Sequence, residues 1–498
     1  MKAVLALDQG TTGSTALVIG ENGAVLGRGY RELPQHFPSP GWVEHDPDDI
    51  LRVTLEAARE ALARARVTPA CIGITNQRET VCVWDRASGR PLHRAIVWQD
   101  RRTAPRCASL AAGPQAAAIR ERTGLVLDPY FSATKMEWLM EHVPDVRARI
   151  EGGDAVFGTV DTWLVFQLTA GGAFATDHTN ASRTMLYDLA AGAWSDELLG
   201  LFGLPRTALP EVRPSSGDFG VTAARHFGVE IPIAGVAGDQ QAALFGQGCW
   251  GAGQAKNTYG TGAFLLLNTG DRRVSSAHGL LSTAACDAAG ARAFALEGSV
   301  FIAGAAIQWL RDGLQIIAAA AESEQLARDV RDTGGVYFVP AFVGLGAPHW
   351  EAGARGTIVG LTRGTGRAHL VRAALEAMAF STQEVLDAMT ADAGIGLTEL
   401  QVDGGAAAND WLMQFQADLL GVRVARPDLV ETTALGAAGL AGLATGVWRR
   451  AEDFLAGRRF DRFDPGGEAA ESRARAGEWR RAVQAAKQWA AAGRSSAT

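Results

Sequence analysis

Lysine is nearly absent from this chain. Lys and Arg together number 47 in 498 residues, and lysine stands only at Lys2, Lys135, Lys256 and Lys487. None of the four precedes Ser or Thr, so the G-x-x-x-x-G-K-[ST] loop, whose lysine must reach the β and γ phosphates, is excluded. No H-R-D segment occurs either, which excludes a protein-kinase catalytic loop. Basic blocks are missing too. The formal net charge is −7, and without clustered cations to neutralise phosphates neither a nucleic acid nor an anionic membrane surface is an expected partner.

Long apolar runs are also lacking. Nothing approaches the roughly 20 residues of a membrane span, and the opening MKAVLALDQG is cut by Asp8 before it forms a signal-peptide core. No membrane insertion and a cytoplasmic location are therefore expected. The five cysteines, Cys71, Cys82, Cys107, Cys249 and Cys286, are odd in number and never in C-x-x-C spacing, which points to small core residues in a reducing compartment. What the chain does have is an ordinary globular balance, 47% apolar and 20% charged, over a length that allows two to four domains of roughly 100 to 200 residues.

The pattern begins as a β-meander. Ala3 to Leu7 is an apolar strand, Gln9-Gly-Thr-Thr-Gly-Ser14 a turn of glycine and hydroxyl residues, Thr15 to Ile19 a second strand, and Asn22-Gly23 a type I′ turn into Ala24 to Gly27. Asp46 and Pro47 open a helix in which Leu51, Leu55, Ala58 and Leu62 recur at helical spacing. Further strands are expected at Cys71–Thr75, Val81–Trp84 and Ala95–Trp98. About 250 residues on, NTYGTGAFLLL repeats the strand, G-T turn, strand layout of LDQGTTGSTALVI. This suggests duplicated halves with a boundary near Gly248 to Gly253, that is 1–249 and 250–498; two unrelated hairpins are the alternative. A long amphipathic helix is expected over Arg367 to Ala393, then a strand Leu400–Asp403, a double glycine and a helix Asn409–Leu420. A packed helix from Glu468, with Trp479 and Trp489, and a frayed GRSSAT end complete the chain.

Several segments place small or acidic groups where an apolar strand ends, the edge at which α/β sheets bind ligands. In Asp8-Gln-Gly-Thr11-Thr12-Gly13-Ser14, amides and hydroxyls could surround phosphate while Asp8 orients Mg²⁺, directly or through water; a plain hairpin is the alternative. Asp239, after the strand Ile233–Gly238, stands where a helix begins. It is either an N-cap or a general base toward a substrate hydroxyl. Tyr259-Gly260-Thr261-Gly262 and Asp403-Gly404-Gly405 with Asn409 would let backbone approach a nucleotide. Arg78 and Glu79, adjacent between two strands, are either a solvated pair or a donor and acceptor gripping neighbouring hydroxyls. Tyr130, ahead of a helix, could add a hydroxyl contact. Trp98 and Phe264 are either core packing or apolar walls for a carbon skeleton.

Together these segments resemble the FGGY carbohydrate kinases of the actin-like ATPase superfamily. The resemblance runs from LDQGTT at Leu7 to TALGAA ending at Ala438, through GWVEHDP, GITNQRET, FGTVDTWL, TNASRTML, AGDQQAALFGQ, KNTYGTG and VDGGAAAND, with the two general family signatures around Tyr130–His142 and Gly356–Glu376. It implies an α/β fold of two duplicated actin-like, ribonuclease H-like ATPase domains around a central cleft. It implies ATP-dependent phosphorylation of glycerol to sn-glycerol 3-phosphate, with Mg²⁺ as cofactor and a homodimer or homotetramer as the assembly. It further implies that Asp239 is the catalytic base, that Arg78, Glu79, Tyr130, Asp239 and Gln240 hold glycerol between Trp98 and Phe264, and that Asp8 serves Mg²⁺. Nucleotide contacts would come from Thr11, Thr12, Gly13, Thr261, Gly304, Gln308, Gly405 and Asn409.

Two other readings stay open. A sister kinase would act on a pentulose or a longer polyol, although NQRET and GWVEHDP favour glycerol. A non-catalytic nucleotide switch would bind ATP without polyol-dependent turnover. One position departs from the family: its members commonly read D-Q-G-T-T-S-S-R, whereas here Thr15 stands where arginine is usual. His226, in RHFG, is a surface histidine or a regulatory one.

Overall fold

The computed structural model describes residues 2–429, 431–467 and 469–495, without the side chains of 493–495. Two sheets of like topology organise them. In the first, β1 (Ala3–Gln9), β2 (Gly13–Gly20) and β3 (Val25–Glu32) form an antiparallel meander, and β4 (Cys71–Asn76) and β5 (Ile233–Gly238) extend it parallel to β1. The second repeats this wiring. There β6 (Gln254–Tyr259), β7 (Ala263–Gly270) and β8 (Arg292–Val300) form the meander, and β9 (Glu399–Asp403) and β10 (Arg423–Pro427) follow parallel to β6. Edge strands Leu281–Cys286 and Phe460–Phe463 flank it. The shared wiring is a stronger sign of duplication than the two glycine turns, because each parallel connection needs its own crossover.

Local sequence explains most elements. Helix α1 (Pro47–Ala65) starts on Asp46, whose carboxylate accepts from the Asp48 amide at 2.9 Å, a cap worth about 1 kcal/mol. Its buried stripe is Ile50, Val53, Ala57, Ala58 and Ala61, whereas Leu51 and Leu62 of the expected stripe are only half-buried. The Asn22-Gly23 turn also differs. Only Gly23 has positive φ, at 79°, and the Gly20 amide bonds to the Ala24 carbonyl around a three-residue loop. Type I′ needs positive φ at both residues, so the pair closes a type I turn with a left-handed glycine, and the register shifts at Ile19. The Ala95 strand stops at Ile96, inside a separate four-stranded sheet with Glu44–His45, Val81–Asp85 and Ala155–Thr159.

Helix α2 (Asp239–Gly246) leaves β5 toward the second half, and α6 (Thr432–Ala444) returns from that half to pack on β1, β4 and β5. The two helices touch at glycines. A Cβ on Gly436 would stand 1.8 Å from the Ala242 carbonyl oxygen, so only glycine allows this approach. Between these, α3 (Gly304–Asp312), α4 (Arg367–Ala393) and α5 (Asp410–Leu420) pack on the second sheet. The last helix, Ala469–Ser495, buries Trp479 at 2% exposure but leaves Trp489 70% exposed, so only one of the two tryptophans is packed. Glu468 and the final three residues of GRSSAT lie outside the described residues. All five cysteines are buried and unpaired. No helix among the described residues is long and apolar enough to cross a membrane.

Candidate active site

The carboxyl ends of β4 and β5 deliver the acidic and basic side chains to one place. Asp239 is the first helical residue of α2, and the cap position belongs to Gly238, so the N-cap alternative falls. Its Oδ1 accepts from its neighbour's amide, Gln240 N, at 2.7 Å and faces Arg78 Nε at 3.1 Å. The side chain is 32% exposed. Among the described residues no donor engages its second carboxylate oxygen, which is what a proton acceptor for a bound hydroxyl requires.

Arg78 and Glu79 are not a solvated pair. Both side chains are buried, and they lie 3.7 Å apart, each fastened by a different partner. Arg78 donates to both oxygens of Glu297, at 2.6 and 3.2 Å, and also to Gln241 Oε1 and the Tyr130 hydroxyl. Glu79 accepts from Arg183 Nε at 2.7 Å, and Arg183 Nη2 donates to Glu297 at 2.8 Å. The four charges alternate in a closed, neutral ring inside the protein, where unpaired charges would be costly. Burial raises the Glu297 carboxyl, but Arg183 and Arg78 outweigh it and hold the group at about 2. Burial raises Glu79 above the ordinary carboxylate range against the pull of both guanidiniums. Glu79 also sits at φ 62°, a strained backbone that re-aims its side chain at Arg183.

No sequence motif marks Arg183 or Glu297 as part of this ring. Arg183 lies within TNASRTML, but nothing local marks it as the partner of a residue 104 positions earlier. Glu297, on β8, comes from the opposite half of the chain. A third such residue is Lys256 on β6: fully buried, it donates to Gln240 Oε1 and, at 2.9 Å, to Thr258 Oγ1. Burial lowers its ammonium to about 8, which leaves it charged at neutral pH.

Tyr130, which accepts from Arg78, also lines a cavity of about 810 Å³ together with Trp98, Thr261 and Phe264. Trp98 and Phe264 are half-exposed walls and not core residues. Trp98 meets Tyr130 edge-on at 5.5 Å. The Tyr130 loop is tied down by the Lys135 ammonium, which donates to the carbonyls of Pro129, Tyr130 and Phe131. A second cavity of about 550 Å³ is lined by Gly260, Thr261, Gly304, Gln308, Gly405 and Asn409, which are five of the expected nucleotide contacts together with Gly260. Thr261 borders both cavities. Asn409 caps α5 through its oxygen, accepting from Leu412 N at 2.9 Å.

Thr11, Thr12 and Gly13 do not line the second cavity; they form the turn of the facing hairpin, closed by the Gly10 amide on the Gly13 carbonyl at 2.9 Å. Gly13 is buried and Thr12 exposed. Asp8 pairs in register with Thr15 beside this turn. Burial, then the charges of Asp239 and Glu431, raise its carboxyl to about 7. Among the described residues no group of three His, Cys, Asp or Glu side chains could hold a metal unaided. A carboxylate whose charge is opposed by burial and by neighbouring carboxylates does fit Mg²⁺, which takes one or two protein carboxylates and completes its shell with water and substrate phosphate oxygens. His226 is buried, not on the surface, and its ring nitrogen meets the Gln167 carbonyl at 3.2 Å.

Two family models cover most of the chain: the N-terminal domain of the FGGY family of carbohydrate kinases over residues 3–246, and the C-terminal domain over 255–445. The chain belongs to the FGGY family of carbohydrate kinases. Curated FGGY relatives agree along nearly the whole length. The glycerol kinase of Bordetella parapertussis is 56% identical over 98% of this chain and 97% of its own, and that of Deinococcus radiodurans is 55% identical over 98% of each. A solved structure, the glycerol kinase of Plasmodium falciparum with ADP, matches at a TM-score of 0.93 and 37% identity, covering 98% of both chains. The FGGY kinase fold is thus the observed one, an α/β structure of two like sheets with the polar floor between them.

Proposed function

We propose that this chain transfers the γ-phosphoryl group of ATP to a primary hydroxyl of glycerol, giving sn-glycerol 3-phosphate and ADP. The observation that carries this reading is the shared border at Thr261: a cavity walled by Trp98, Tyr130 and Phe264, whose Tyr130 hydroxyl is bonded to Arg78, meets a second cavity lined by five of the expected nucleotide contacts. The full-length identity to curated glycerol kinases supports glycerol as the acceptor. A three-carbon triol is the acceptor that Arg78 and Gln240 as donors and Asp239 and Glu79 as acceptors would hold, with Trp98 and Phe264 as apolar walls.

In this reading Asp239 takes the proton of the attacking hydroxyl while Arg78 keeps its carboxylate turned to the substrate. Phosphoryl transfer has a loose transition state, so alignment contributes more than the base. Thr11, Thr12 and Gly13 on one hairpin and Thr261 on the other would hold the phosphates through amides and hydroxyls; Gly304, Gln308, Gly405 and Asn409 would hold the rest of the nucleotide. Asp8 would hold Mg²⁺, which when bound would supply positive charge to the phosphates. The residues 1–249 and 250–498 would act as two lobes that close over both substrates. A coupled ADP-release assay across glycerol, xylulose, ribulose and erythritol tests the proposal. Glycerol should give the highest kcat/KM; faster turnover of a pentulose, or ATP binding with no polyol-dependent turnover, would refute it.

A further inference from the structure

Gln240 follows Asp239 at the start of α2 and is half-exposed, and a side-chain amide can present either its oxygen or its NH₂ to a ligand. Which end faces inward is not a free choice here. The Lys256 ammonium reaches from β6, in the opposite half of the chain, and donates to Gln240 Oε1 while a second proton goes to Thr258 Oγ1. An ammonium has three donors and no acceptor, so the atom it meets must be the oxygen. The NH₂ is left with no acceptor among the described residues, on a side chain that is half-exposed as a whole. Lys256 itself is fully buried, and the charges of Asp403, Asp239 and Glu297 favour its ammonium form against burial and Arg78.

We propose that Lys256 is a positioning residue that fixes the polarity of Gln240, so that the polyol meets an N–H donor at that point. This deepens the glycerol reading and rests on it. The floor then carries two donors, Arg78 and Gln240, and two acceptors, Asp239 and Glu79, in a set arrangement. With Lys256 gone the amide can turn over, and its oxygen would join the two carboxylates in competing for the three hydroxyl protons of glycerol.

The experiment is steady-state kinetics with glycerol and ATP on the wild type, Lys256→Met, Gln240→Leu and the double variant. Lys256→Met should raise the glycerol KM roughly tenfold, a size typical of one charge-assisted contact, with the ATP KM within twofold. In the Gln240→Leu background it should add nothing. An unchanged glycerol KM, or losses that add in the double variant, would overturn the proposal. Should Lys256→Met fail to fold, Gln240→Glu with Lys256 intact reads the same polarity. It should lose glycerol affinity as severely as Gln240→Leu, and wild-type affinity there would overturn the proposal. A wild type that releases no glycerol-dependent ADP would instead refute the glycerol reading, which the same assay separates from this one.

Discussion

The indole N–H of Trp98 donates to the Thr11 hydroxyl across 2.8 Å. This one bond joins the apolar wall of the acceptor cavity to the first glycine hairpin, so the two proposed substrate sites share a support. Trp98→Phe keeps most of the ring and removes the bond, worth about 0.5 to 1.5 kcal/mol net. Both glycerol and ATP KM should rise, each by roughly two- to tenfold. Steady-state kinetics with each substrate varied would show it, and a change confined to glycerol would mean that Thr11 does not touch the nucleotide.

Asp239→Asn keeps an oxygen for Arg78 and removes the proton acceptor. Turnover should fall by roughly 10² to 10⁴, with the glycerol KM changed little. If kcat stayed near the wild-type value, Asp239 would not be the base.

Glu297→Gln opens the charge ring and leaves its two buried guanidiniums with Glu79 inside the protein and, for Arg78, the part-exposed Asp239. Breaking such a pair costs about 3 to 5 kcal/mol. The pH dependence has a definite sign. The Glu297 carboxyl is held at about 2 in the fold against an ordinary 4.5, so its stabilisation is complete above pH 4.5 and drains away as pH falls toward 2. Urea midpoints at pH 7 and pH 3 should therefore converge between wild type and variant. An equal gap at both values would mean that the ring's contribution is not electrostatic.

What was legible in the sequence followed from spacing over a few residues. The cap and Pro47 start of α1, the two strand, turn, strand hairpins, the 27-residue helix Arg367–Ala393 and the acidic strand ends all have local causes. Asp239 was legible as a residue at a helix start but not as the first helical position, a difference of one place decided by how β5 ends. Arg183, Glu297 and Lys256 were not legible at all. Their roles come from partners 104, 219 and 16 positions away on other elements, and a charged residue carries no local mark of being buried. The same holds for Trp98 and Phe264, whose choice between core and wall depends on where the cleft opens.

Gly436→Ala tests the helix crossing that links the halves. The added methyl would meet the Ala242 carbonyl oxygen at 1.8 Å, so α2 and α6 must part. Overpacking of this kind costs about 1 to 3 kcal/mol, and because Asp239 begins α2, kcat should fall as well. Gly396→Ala, where nothing lies within 4 Å of the new Cβ, serves as the control and should change stability by less than about 0.5 kcal/mol. Thermal melts beside kcat would decide it; a stable, fully active Gly436→Ala would mean the crossing is loose.

Thr15 adds to the scarcity of cations in this chain. It sits opposite Asp8 in the register of the first hairpin, and cross-strand partners share a face of the sheet, so an arginine here would project beside the carboxyl that burial raises to about 7. Two effects would follow from Thr15→Arg. A guanidinium reaching phosphate adds a charge-assisted bond of about 1.5 to 3 kcal/mol, which should lower the ATP KM by roughly ten- to a hundredfold. The same charge would pull the Asp8 carboxyl down and take over part of the neutralising work otherwise left to Mg²⁺, so the magnesium concentration for half-maximal rate should also drop. Titrating magnesium at fixed ATP for both proteins separates the effects. If neither quantity moved, backbone amides and the Thr11, Thr12 and Thr261 hydroxyls would already saturate the phosphates, and the missing cation would cost this enzyme nothing.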